Sequence, residues 1–253
     1  MKIPSSELKA FLEEKYIKYN RLDFIESDPV SIPHQFSKKE DIEIAGFLAA
    51  TIAWGQRVTI INNANKMMKL MGGSPYDFIM NAKDKDMKRF EGFVHRTFNA
   101  TDIVFFVRSL QNIYKKHGGL ENVFSKPDCM EAIMNFRQFF FSIDSPSRTK
   151  KHVSNPSENS SSKRLCMYLR WMIRKDHSGV DFGLWNSQLL PSHLMCPLDV
   201  HSGNVGRKLG LLKRTQNDWK AVDELTMNLR KFDTKDPCKY DFALFGLGVF
   251  EKF

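Results

Sequence analysis

A lysine amine and a carboxylate that share one carbon can do covalent chemistry, and this sequence offers such a couple in Lys163 and Asp199. An amine that has lost its proton attacks an electrophilic carbon and goes on to a Schiff base. A carboxylate beside that carbon steadies the positive charge building there, or activates the nucleophile. Losing the proton asks for partial burial of the lysine, which disfavours its charged form. Lys163 begins the string KRLCMYLRWMIRKD, and Asp199 lies in CPLDVHSGNVGRKLGLLKR. Each also has an everyday reading. A lysine in the first turn of a helix is ordinarily solvated, and an aspartate after Pro197 is ordinarily a helix N-cap.

Helices must position the couple. Ser37-Lys-Lys-Glu40 reads as a capping box, and behind it Ile44, Phe47, Leu48 and Ile52 recur at helical spacing. Thr101 or Asp102 can cap a second helix whose face is Ile103, Phe106, Val107, Leu110 and Tyr114. Ser125 and Pro127 open a third, carrying Phe136, Phe139, Phe140 and Phe141. Asp218 can cap a helix through Leu225 and Leu229, and Asp236-Pro237 starts the last. No alternating strand or Asn-Gly hairpin is legible, so the expectation is an all-α fold. Residues 142–164 are rich in Ser, Pro and basic residues and nearly free of apolar ones. Locally that is a mobile linker; a polar loop delivering a lysine to a helix start is also the form of a phosphate-gripping hairpin.

The string around Asp199 resembles the segment after the hairpin in helix-hairpin-helix (HhH-GPD) DNA glycosylases. That segment holds an acidic residue, a His two places on, and a helix ending in a basic-Leu-Gly-Leu step. Here these are Asp199, His201 and Lys208-Leu209-Gly210-Leu211, and Lys163 falls where the bifunctional members carry their hairpin lysine. The long interval between Lys163 and Asp199 is closest to the archaeal-type oxoguanine glycosylase/abasic lyases. Essentially the whole chain also resembles a bacterial domain-of-unknown-function family of that superfamily, through DIEIAGFLAATIAWGQR, FVHR (Phe93 to Arg96), VDFGLW, PLDVH and DPCKYDFALFGLG.

The resemblance implies one unit over 1–253 made of two helical subdomains flanking a cleft. Residues 37–145 would form the first, and 1–36 with 146–253 the second, carrying the hairpin and the catalytic pair. It implies a base-excision N-glycosylase/abasic-site lyase acting on an oxidised purine of the 8-oxoguanine kind. Lys163 is then the Schiff-base nucleophile, and Asp199 the carboxylate facing the cation at C1′. Gln56 would fill the gap left by an extruded base, though it also suits an ordinary polar helix end after Gly55. Trp54 and Trp185 would stack on that base, while aromatics of helical proteins are more often core. Arg57, Arg164, Arg170, Arg174 and Lys175 would neutralise phosphates, with Asn159, Ser160 and His201 also at the DNA. Asn159 stands where the family hairpin has a Gly, and Asn tolerates the left-handed backbone that such a turn needs. Ser202-Gly203-Asn204 departs from the bulkier or basic residues usual there. Loss of the hairpin Gly favours the alternative of a non-catalytic DNA- or RNA-binding protein on the same fold. Retention of both Lys163 and Asp199 favours the enzyme. A helical adaptor for an acidic protein is a third class, distinguished by lacking salt-dependent affinity for nucleic acid.

Composition sets the frame. The chain has 253 residues, 42% hydrophobic, with 38 Lys and Arg against 29 Asp and Glu, for a formal charge of +9. A positive excess favours an anionic partner, nucleic acid first and a membrane surface second, although a solvated basic surface explains it as well. Damaged double- or single-stranded DNA is the partner that the resemblance implies. Cys129, Cys166, Cys196 and Cys238 form no C-x-x-C pair and read as reduced core thiols, so neither metal nor cofactor is expected. No apolar run is long enough to cross a bilayer, and MKIPSSELKAFLEEKY lacks an apolar signal core. A cytoplasmic monomer without membrane contact is the expectation.

Overall fold

A computed structural model describes residues 4–253, and the described residues form an all-α fold. Met1–Ile3, part of the stretch read for a leader, lie outside the described residues. The helices are α1 (Ser5–Tyr19), α2 (Asp23–Glu26), α3 (Lys39–Thr51), α4 (Arg57–Leu70), α5 (Pro75–Asn81) and α6 (Ala100–Lys116). They continue with α7 (Leu120–Phe124), α8 (Cys129–Phe140), α9 (Lys163–Ile173), α10 (Val200–Lys208), α11 (Trp219–Arg230) and α12 (Asp241–Val249). A two-residue antiparallel hairpin, β1 (Val94–His95) and β2 (Phe98–Asn99), is too short to leave an alternating pattern in the sequence.

α3 is the central helix. Every residue from Ile42 to Thr51 is buried, the mark of a helix covered all round rather than along one stripe. Phe47 at its centre meets the rings of Phe106, Phe136, Phe140 and Tyr168, which ties α6, α8 and α9 to it. α12 packs between α1 and α10. Two glycines permit this: a Cβ on Gly246 would lie 2.1 Å from the Tyr19 ring, and one on Gly248 3.0 Å from His201 Cβ. Beyond α12, Glu251 accepts hydrogen bonds from Lys15, Lys18 and Tyr19, fastening the end of the described chain to α1.

Several helix starts differ from those expected. α3 begins at Lys39 with no side-chain cap, so the Ser37–Glu40 box does not form. Asn99, rather than Thr101 or Asp102, caps α6; Asp102 completes that box by accepting the Asn99 amide at 2.9 Å. Asp128, not Ser125, caps α8. Pro237 opens a short 3-10 turn, Pro237–Tyr240, and α12 proper starts at Asp241. Asp218 caps α11 as expected. All four cysteines are free and buried. Among the described residues no helix is long and apolar enough to cross a membrane.

Residues 142–164 are not a free linker. They hold two 3-10 turns, Ser147–His152 and Pro156–Glu158, fixed to the rest of the fold. Arg148 donates to Asn99 Oδ1 (2.7 Å), to the Thr97 carbonyl (3.0 Å) and to Asp102, whose other oxygen accepts the Thr149 hydroxyl at 2.7 Å. A polar composition here satisfies polar partners instead of solvent.

A lysine and a carboxylate at one cavity wall

Two local devices bring Lys163 to Asp199. The first is the turn before α9. Asn159 is left-handed (φ 65°) and Ser162 again so (φ 47°), which lets the chain reverse and leave α9 starting at Lys163. The turn is pinned from outside: the Asn159 side chain donates to Asp218 Oδ2 at 2.9 Å, and its carbonyl accepts the Trp219 amide at 3.2 Å. The second device is the cap of α10. Asp199 Oδ1 accepts the amides of His201 (2.8 Å) and Ser202 (3.0 Å), while Ser202 Oγ accepts the Asp199 amide at 3.0 Å. This closed box sets the direction of the other oxygen, and Oδ2 lies 2.9 Å from Lys163 Nζ. Both side chains are partly buried, 29% and 21% exposed. Burial pushes the Asp199 carboxyl up, but Lys163, the Ser202 amide and His201 together outweigh it and hold the group below the usual carboxylate range.

The pair sits on the wall of a cavity of about 610 Å³. Phe24, Phe242 and Phe245 contribute apolar lining, with Phe24 edge-on to Phe242 (5.5 Å between centroids) and to Phe245 (6.0 Å). Trp54, Arg57, Ser160, Arg164, Arg170 and His201 also line it. Two carboxylates that the sequence reading passed over, Asp28 and Asp241, line it as well, 8% and 7% exposed. Asp28 precedes Pro29 and looks from sequence like a turn cap, which it also is. Asp241 sits inside DPCKYDFALFGLG without any motif of its own. Burial raises the Asp241 carboxyl to about 6 against the pull of Arg170 and Lys163. Among the described residues no group of three or more His, Cys, Asp or Glu side chains is placed to hold a metal ion.

The other expected site residues divide. Gln56 is exposed at the start of α4, between the cavity-lining Gly55 and Arg57. Trp54 lines the cavity, held edge-on to His95 (5.0 Å), near-parallel to His152 (6.0 Å) and under the Arg164 guanidinium (4.8 Å). Trp185 is not a stacking platform. It is a core residue, 6% exposed, packed on Phe124 and Tyr168 with its Nε1–H donating to buried Glu43 at 2.7 Å.

Three arginines expected at phosphates are engaged internally. Arg164 donates to the carbonyls of Thr51 and His152, and burial pushes its guanidinium down to about 10. Arg170 pairs with Asp181 and Asp241, and Arg174 with Asp176, Asp181 and Asp236. Buried guanidinium groups need such partners, and Asp176 and Asp181 after α9, with Asp236 and Asp241 near the start of α12, supply them. Lys175 is exposed.

Fold and site together define an all-α protein in which a lysine–carboxylate pair borders a mixed apolar and charged cavity. Residues 28–250 match the family described as "Protein of unknown function (DUF2400)", and the chain belongs to that family. No curated protein and no solved structure matches the chain.

Proposed function

We propose that this chain is a DNA base-excision N-glycosylase and abasic-site lyase acting on an oxidised purine. The observation that carries the reading is the Lys163–Asp199 pair, 2.9 Å apart at the wall of a cavity within the size range of small-ligand sites. In this reading the N-glycosidic bond breaks with its electron pair leaving on the base, and Asp199 faces the positive charge left at C1′. The Lys163 ammonium gives up its proton to the departing base, whose nitrogen gains basicity as the bond breaks. The freed amine forms the C1′–N bond, and ring opening turns the adduct into a Schiff base that permits strand elimination. The cap on α10 supports it further, because a carboxylate fixed before the reaction needs no reorganisation during it. A non-catalytic DNA- or RNA-binding protein would account for the cap on α10 but has no need of a lysine held against it at a cavity wall.

Borohydride trapping on oligonucleotides with an abasic site or 8-oxoguanine tests the proposal. A covalent adduct is expected with the wild type and not with Lys163→Gln, which should still bind DNA. An adduct that persists in Lys163→Gln, or a wild type that neither traps nor excises, would overturn it.

A further inference from the structure

We propose that Asp28 and Arg57 are specificity-determining residues of the same cavity, reading a lactam edge: a ring N–H beside a carbonyl oxygen. Such an edge occurs in guanine, hypoxanthine and uracil, whereas adenine and cytosine present a ring acceptor beside an amino group. That the heterocycle arrives as an extruded base rests on the glycosylase reading above; the recognition chemistry does not.

Both side chains have hydrogen-bonding capacity that the fold leaves unused. Asp28 is more than nine-tenths buried, and its Oδ1 accepts the Val30 amide at 3.1 Å. Its Oδ2 has no hydrogen-bond partner among the described residues, and the side chain lines the cavity. Burial raises this carboxyl above its ordinary value, opposed by the Val30 amide and by the cations of Arg57, Arg170 and Lys163. Arg57 also lines the cavity, and its Nη2 is buried without a partner. Its guanidinium lies 4.8 Å from the centre of the Phe245 ring and 5.5 Å from that of Phe250, which restrains the fork without using its N–H donors. Arg164, Arg170 and Arg174 show the contrast, because each spends its donors on protein acceptors.

An unpaired acceptor and an unpaired donor that line one cavity gain hydrogen bonds when a ligand brings a matching donor and acceptor. The lactam edge matches: its N–H donates to Asp28 and its carbonyl accepts from Arg57. The opposite edge sets a ring nitrogen lone pair against the carboxylate and an amino group against the guanidinium. The aromatic lining of Phe24 and Phe245 suits the flat faces of such a ring.

Inosine and adenosine differ only at this edge, so their binding to the full chain, followed by saturation-transfer NMR, is the test. Inosine should bind about 10- to 100-fold more tightly, the range expected for hydrogen bonds to charged groups. Asp28→Asn keeps an oxygen to cap Val30 but turns an N–H toward the ligand, so it should abolish or invert that preference. Arg57→Gln, at a residue with no hydrogen bond to lose in the fold, should reduce it. Equal affinities in the wild type, no inosine binding at millimolar concentration, or an unchanged preference in Asp28→Asn would overturn the proposal. So would an Arg57→Gln protein that weakens DNA binding uniformly and leaves the preference intact, because Arg57 would then be a phosphate contact. Abasic-site trapping by the wild type reports separately on the glycosylase reading, so either can fail without the other.

Discussion

Asp199 divides its carboxylate between a helix and a lysine: Oδ1 holds the His201 and Ser202 amides, and Oδ2 lies 2.9 Å from Lys163 Nζ. The two bonds are mechanically linked, because the cap fixes the torsion that aims the free oxygen. A helix cap and an ion pair are thus met by one residue, and substitutions can separate them.

Asp199→Asn should keep the cap and lose the charge, so its thermal midpoint should stay close to that of the wild type. Asp199→Ala loses both, and the missing cap should cost about 1 kcal/mol. For a chain of this size that is roughly 2–4 °C in midpoint. Melting curves of the two variants side by side decide it; equal losses would mean that the cap contributes nothing measurable.

Lys163→Met should change how stability responds to acid. Asp199 has a folded pKa below its unfolded one, so its contribution is present above the unfolded value and is lost as pH falls through the folded value. The pair is partly exposed, so the wild type's advantage should be about 1 kcal/mol or less at neutral pH. It should shrink towards zero in the acid range. Urea midpoints of both proteins against pH give the comparison, and an advantage that grows on acidification would contradict this assignment.

His152 should make the fold acid-sensitive in a higher window. Burial lowers its pKa to about 4, and Arg164, Lys151 and Arg148 add to that against the opposing pull of Asp102. The neutral ring is therefore the form the fold holds. Its stabilising contribution is present above the unfolded value near 6.5 and is lost as pH falls from there towards 4. His152→Gln should flatten urea midpoints between these limits relative to the wild type.

Gly246→Ala should destabilise although alanine favours helix. The added methyl would stand 2.1 Å from the Tyr19 ring, at the ring's root rather than its mobile tip, so α1 and α12 must separate. Overpacking of this kind costs about 1–3 kcal/mol, against about 1 kcal/mol of propensity gained. A melting temperature at or above that of the wild type would show that Tyr19 swings away freely.

Much of the fold was legible because helical amphipathicity and capping residues are local signals. Asp218 caps the helix expected of it, and Asn159 takes the left-handed turn that its side chain tolerates. Lys163 and Asp199 were legible only through the long strings around them, since each alone has a commoner reading that also holds in part. What failed did so for want of distant partners. Trp185 is offered as a platform by the resemblance and as core by the ordinary habit of aromatics, and Glu43, inside α3, decides for the core by accepting its N–H. The basic residues in and just after α9 read as phosphate contacts until Asp181, Asp236 and Asp241 meet Arg170 and Arg174. Asp28 carries no signal of a site in the sequence because its unused oxygen is a property of the cavity, not of the segment.

The cavity wall is gathered from far-apart stretches: Phe24 to Pro29, Trp54 to Arg57, Ser160 to Met167, Pro197 to Ser202, and α12. Contacts of such long range form late, because loop closure must precede them. A chain still being made has Lys163 and Asp199 before it has Asp241 or Phe245, so the wall closes only when the last helix arrives. A chain lacking α12 would therefore carry the Lys163–Asp199 pair without the wall that encloses it, so the cavity belongs to the whole fold and to no single segment.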